Sequence, residues 1–143
     1  MKKLLAAITL PIVMTACVST ADSNSVTTQD LQHHHWVLSE IDGKAINVME
    51  HFEAPDIEIG EHMKANGNAG CNRYFGQAEL KDGQFRIEKM GMTMKMCPDA
   101  PMELERTMTS VLTEWSDISL TKESLILKSE QHELTFTLRD WVN

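Results

Sequence analysis

Three cysteines are the residues with the most chemistry to offer, and their surroundings assign them differently. Cys17 ends the run Val13-Met14-Thr15-Ala16-Cys17, where two small residues give a lipoprotein signal peptidase access to the bond before a thiol. Met14 stands where such runs usually carry Leu. Upstream, Lys2 and Lys3 precede an uncharged, mostly apolar stretch from Leu4 to Ala16, too short to span a bilayer as a helix and readable as an export signal. Acylation of Cys17 would then hold the mature chain on a membrane, each buried methylene contributing about 0.8 kcal/mol. Val18, not Asp, follows the cysteine, so the expected place is the outer membrane, facing the periplasm. Ordinary cleavage nearby is the competing reading.

With Cys17 given to lipid, Cys71 and Cys97 remain as an even pair in an oxidising compartment, and a structural disulfide is the simplest reading. A reactive or redox pair is the alternative, though no Cys-x-x-Cys spacing supports it. Met90, Met92, Met94 and Met96 recur at every second position, so an extended chain would put four thioethers on one face. That face either fills a core or offers soft ligands to copper(I). His33, His34 and His35 form a second candidate, with His51 and His62 elsewhere. Only His33 and His35 could share a strand face, short of the four ligands of a structural zinc site, so exposed polar residues at the domain entrance are expected. No Gly-x-Ser-x-Gly or His-Glu-x-x-His occurs, and with 21 acids chance carboxylate pairs are inevitable. Neither a catalytic residue nor a cofactor is expected.

The 143 residues carry a net charge of −8. Residues 1–16 hold two lysines and no acid, so their removal takes the charge from −8 to −10, which disfavours nucleic acid as a partner. Residues 17–29 are rich in Ser, Thr, Asp and Asn and read as a tether that cannot bury enough surface to order itself. Residues 30–143 have the size of one domain.

Within that domain the patterning is mainly β. Trp36–Ile41 and Lys44–Ile46 flank the turn Asp42-Gly43; Asp56–Ile59 pairs with Met63–Asn66; Gln77–Leu80 and Gln84–Ile87 flank Asp82-Gly83. Leu104, Met108, Val111, Leu112 and Trp115 then mark one face of an amphipathic helix, with Asp99 as its cap and Pro101 in the first turn. Three closing strands follow, around Ile118-Leu120, Leu125–Leu127 and Leu134–Leu138. The predicted class is mainly β with one helix: a strongly curved antiparallel sheet or small β-barrel closed by that helix.

The run Gly67-Asn68-Ala69-Gly70-Cys71-Asn72-Arg73-Tyr74-Phe75-Gly76, with Met92-Thr93-Met94-Lys95-Met96-Cys97-Pro98 and a helix bearing Glu103, resembles the META domain, and within that family the HslJ-type heat-shock lipoproteins. The resemblance covers residues 30–143 and implies a β-rich barrel with a packed helix, a link to heat shock and to tolerance of antibiotics such as novobiocin, and no established catalysis. Gly67, Gly70 and Gly76 admit backbone shapes closed to other residues, so residues 67–76 read as a shaped loop around Cys71. Asn72 is expected to bond that loop's own backbone, beside Tyr74. An anion-cradling loop is the sharper alternative. The expected partners are the membrane, through Cys17, and an envelope protein or small molecule; a carrier of a small apolar ligand or of copper(I) is the second functional reading.

Overall fold

A computed structural model describes residues 25–140; the export signal, Cys17 and most of the tether lie outside the described residues. Order begins earlier than composition suggests. Helix α1 (Thr28–Leu31) is started by a capping box between Thr27 and Asp30, and its Leu31 is fully buried. Val26 also packs on the core. Residues 25–29 therefore belong to the fold and not to a tether, because one apolar side chain at each end of a capped turn gives the segment something to bury.

Nine strands follow: β1 (His34–Ile41), β2 (Lys44–Ala45), β3 (Asp56–Ile59), β4 (Lys64–Asn68), β5 (Arg73–Lys81), β6 (Gln84–Met92), β7 (Ser116–Leu120), β8 (Ser124–Lys128) and β9 (Glu133–Leu138). All pairings are antiparallel, and β1 bonds β9 as well as β3. That last pairing closes eight strands into a barrel, with β2 continuing beside β1 past the end of β3. The hairpins expected at Asp42-Gly43 and Asp82-Gly83 form there, with both Asp and Gly at positive φ, as tight turns between twisted strands require.

Alternation along the strands sends Trp36, Leu38, Ile57, Ile59, Tyr74, Phe85, Ile87, Leu125, Leu127, Leu134 and Phe136 inward. The interior is filled by these side chains, so the barrel is a packed core. Helix α2 (Asp99–Thr113) packs against β6 and β9 and contributes Pro101, Met108, Val111 and Leu112 to that core. Its N-cap is Pro98, with no side-chain cap bond, and Asp99 occupies the first turn instead. There its carboxylate faces the positive end of the helix dipole. Trp115 falls beyond the helix and carries the Arg86 guanidinium 4.5 Å over its ring.

Candidate functional site

The Gly-rich run is not one loop. Gly67 and Asn68 end β4, only residues 69–72 turn, and Arg73 to Gly76 already belong to β5. The glycines accordingly serve different needs. Gly70 alone has a positive φ, +134°, and a Cβ there would meet Pro101 O at 2.6 Å and Glu105 N at 3.0 Å. Gly67 and Gly76 keep extended backbone; a Cβ on Gly67 would overlap the Asp56 carbonyl and one on Gly76 the Ile87 side chain. A sequence shows that glycine is needed, but close approach and left-handed backbone look alike in it.

Asn72 departs furthest from expectation. Its side chain, 3% exposed, does not bond its own loop. It reaches across to the segment before α2 and to α2 itself. Its Oδ1 accepts from Thr93 Oγ1 at 2.9 Å and from Lys95 N at 2.6 Å, while Nδ2 donates to Lys95 O at 3.2 Å and to Glu105 Oε1 at 3.1 Å. Its backbone N–H donates to Glu105 Oε2 at 2.6 Å. The turn between β4 and β5, the segment after β6 and the helix thus converge on one amide, because an Asn in an interior turn offers two donors and an acceptor oxygen with nowhere local to spend them. Glu105 is the residue that sequence reasoning missed. Glu103, two positions earlier, is exposed on α2; only the helix phase, fixed by Met108 and Leu112, distinguishes them.

The local capping role falls to Asn68, whose Oδ1 accepts from Gly70 N at 3.1 Å. Asn68 also donates from Nδ2 to Glu53 O at 3.2 Å and from its backbone to Asp56 Oδ1. Asp56 is a second point of convergence: its Oδ2 meets His35 Nε2 at 2.8 Å, and its carbonyl accepts from the Tyr74 hydroxyl at 2.8 Å. Burial pushes the Tyr74 phenol well above the usual tyrosine range. Cys71 and Cys97 are joined by a disulfide, with Cα atoms 5.8 Å apart, which ties the turn to the residue before the N-cap of α2.

The methionine run divides in two. Met90 and Met92 pack against the core, whereas Met94 and Met96 are 94% and 90% exposed. The strand bulges at Lys89, with φ +53°, and ends at Met92, after which Thr93 and Lys95 are drawn to Asn72. One face of four thioethers does not form. The histidines likewise disperse: His33 pairs with Glu61 at 3.3 Å, His34 with Asp140 at 3.0 Å and His35 with Asp56 at 2.8 Å. His34 and His35 are strand residues, not entrance residues, and His35 is half-buried beneath the motif. Among the described residues no group of three or more His, Cys, Asp or Glu is placed to hold a metal ion.

Beside the disulfide lies an open groove of about 320 Å³ lined by His51, Glu53, Asn68, Arg73 and Lys95 among others. It exposes Arg73 and Lys95 beside a junction whose neutral polar groups bond one another, so its charge suits an anionic group.

A family model for the META domain matches residues 29–141. Heat shock protein HslJ of Escherichia coli (strain K12) is 35% identical over 144 residues, covering 100% of both chains. Two NMR structures share the fold. One is 34% identical with a TM-score of 0.71, over 82% of this chain and 99% of the other. The second, from Burkholderia xenovorans, is 26% identical with a TM-score of 0.63, over 83% and 96%. With a closed eight-strand barrel, a capping helix and the Gly67–Gly76 run clasped to that helix, the chain belongs to the META domain family.

Proposed function

We propose that this protein is a non-enzymatic lipoprotein of the envelope stress response, whose barrel binds or shields another envelope component. The observation that carries the reading is the fate of the family motif. Asn68, Asn72, Tyr74 and the two cysteines each meet partners within the chain, so the motif builds the junction between barrel and helix and leaves no nucleophile with a base. The heat-shock name of the relative that matches over its full length supports a role in thermal stress, and antibiotic tolerance, novobiocin included, accompanies it in this proposal. Attachment is through acylated Cys17, on the periplasmic face of the outer membrane. No helix among the described residues is long and apolar enough to cross a membrane.

The test is affinity capture from heat-stressed envelopes with the anchored chain and with Cys17→Ser, beside survival of a deletion strain under heat and novobiocin. Partners recovered by the anchored form alone, with a survival defect that only this form repairs, are expected. Equal recovery by both forms and unimpaired survival would refute the proposal.

A further inference from the structure

Four large apolar side chains are exposed among the described residues, and three of them, Phe75, Met94 and Met96, belong to β5 and to the segment after β6. Phe75 stands on the outer wall of the barrel, 64% exposed, with its ring laid over Gly91. Two open grooves adjoin it, and a third shares Arg73 with the second. One of about 450 Å³ is lined by Lys64, Lys89 and Phe75; one of about 310 Å³ by Phe75, Met92 and Arg73; the third is the Arg73 and Lys95 groove of about 320 Å³ beside the disulfide. Glu53 is the one acid lining any of the three. Lys64, Arg73, Lys89 and Lys95 are exposed and form no ion pair among the described residues. In a chain with 21 acids against 13 bases, the grooves around this exposed aromatic ring reverse the prevailing charge, and the two acids on the outer face of β5 and β6, Glu79 and Glu88, are both paired with Arg86.

We propose that the outer face of β4, β5 and β6 is the surface on which the tethered domain lies against an anionic phospholipid bilayer, the four cations meeting headgroup phosphates and Phe75 resting at the interface. The inference deepens the function proposed above and rests on its reading of Cys17 as the anchor. Eight residue steps separate Cys17 from Ser25, at most about 29 Å when fully extended, so an acylated chain holds the barrel close enough for any face to touch the bilayer. Which face does so is then decided by charge and apolar exposure, and this wall offers both. An acidic peptide is the weaker fit: β4 and β5 are paired on both sides, and β6, paired with β7 only at Gln84 and Phe85, is flanked beyond them by α2, which leaves no open edge for an added strand.

The experiment uses the full mature chain as Cys17→Ser, so that no acyl group contributes, with vesicles of phosphatidylcholine alone or of phosphatidylcholine and phosphatidylglycerol in equal parts. The chain is expected to sediment with the anionic vesicles only, and less so as salt rises. Each cation at the surface changes the partition about fivefold, so Lys64→Glu with Lys89→Glu should lower it by about 25-fold or more. Phe75→Ser, at an exposed site, should lower it again. Lys44→Glu with Lys122→Glu, an equal charge change elsewhere, should stay within about twofold of the parent. Sedimentation with both vesicle types alike, with neither at low salt, or insensitivity to the Lys64 and Lys89 pair overturns the inference. So does perturbation of the Phe75 amide resonance by poly-glutamate while anionic vesicles leave it unchanged. Mass analysis of the wild-type chain tests the anchor separately: an acylated protein whose Cys17→Ser form ignores anionic vesicles refutes this surface and leaves the proposed function standing.

Discussion

Replacing Asn72 with Ala is the sharpest perturbation of the junction. The change removes four side-chain hydrogen bonds and leaves Lys95 N, Thr93 Oγ1 and a Glu105 oxygen to find other partners in a site where Asn72 itself is 3% exposed. A buried bond contributes about 0.5–1.5 kcal/mol net, and more where a partner is charged. Four bonds with shared partners then amount to about 3–5 kcal/mol, a large part of the roughly 5–15 kcal/mol that holds a domain of this size. Urea unfolding of the Cys17→Ser chain, followed by tryptophan fluorescence, reads this directly. With a slope of about 2 kcal/mol per molar, the midpoint should fall by about 1.5–2.5 M with the slope unchanged. A cycle with Glu105→Ala isolates the pair that joins sheet to helix, with an expected coupling of about 1–3 kcal/mol. A midpoint shift below about 0.5 M, or no coupling to Glu105, would refute the assignment of the motif to structure and reopen Asn72 as a ligand-facing residue.

Replacing both Cys71 and Cys97 with Ser opens a link of sequence separation 26; the chain-entropy relation gives a loss of about 3–4 kcal/mol, measured as the difference in urea unfolding free energy. Tyr74 is the one tyrosine and keeps its proton when folded at pH values where the unfolded chain has lost it. The unfolded state therefore binds fewer protons above a pH of about 10, stability declines as the pH rises past that point, and Tyr74→Phe should abolish this part of the alkaline decline in pH-dependent melts. Gly67→Ala forces a Cβ into the Asp56 carbonyl and should cost about 1–3 kcal/mol. Gly60→Ala, where the nearest atom is 3.8 Å away, should stay within about 0.5 kcal/mol of the parent in the same unfolding assay.

The barrel was legible because its strands alternate cleanly and its turns carry Asp-Gly: Ile57 and Ile59, Phe85 and Ile87, and Leu134 and Phe136 each point inward as their spacing requires. Helix α2 was legible in phase but not in its first residue, since Asp99 has the composition of a cap while Pro98 occupies the place. The site was less readable. Local rules assign an Asn in a Gly-rich turn to its own backbone, and Asn68 obeys them, but Asn72 differs only in facing a helix more than 30 residues away along the chain. No local pattern encodes that distance. The period-two methionines mislead for a related reason: spacing presumes a straight strand, and the bulge at Lys89 and the pull of Asn72 on Lys95 bend the chain.

The pairing of β6 with β7 consists of two residue pairs, Gln84 with Asp117 and Phe85 with Ser116. Beyond Phe85 the barrel wall is completed by helix, and that helix is moored at one end by Cys97 and at the other by the bond from Ser116 Oγ to Val111 O at 3.0 Å. The seam is therefore where the cylinder breathes first, and α2 is its door: amide protons of β6 past Phe85 and those of α2 should exchange with solvent together, ahead of the β1 and β9 ladder, in a single opening event that frees the interior without unthreading the remaining strands.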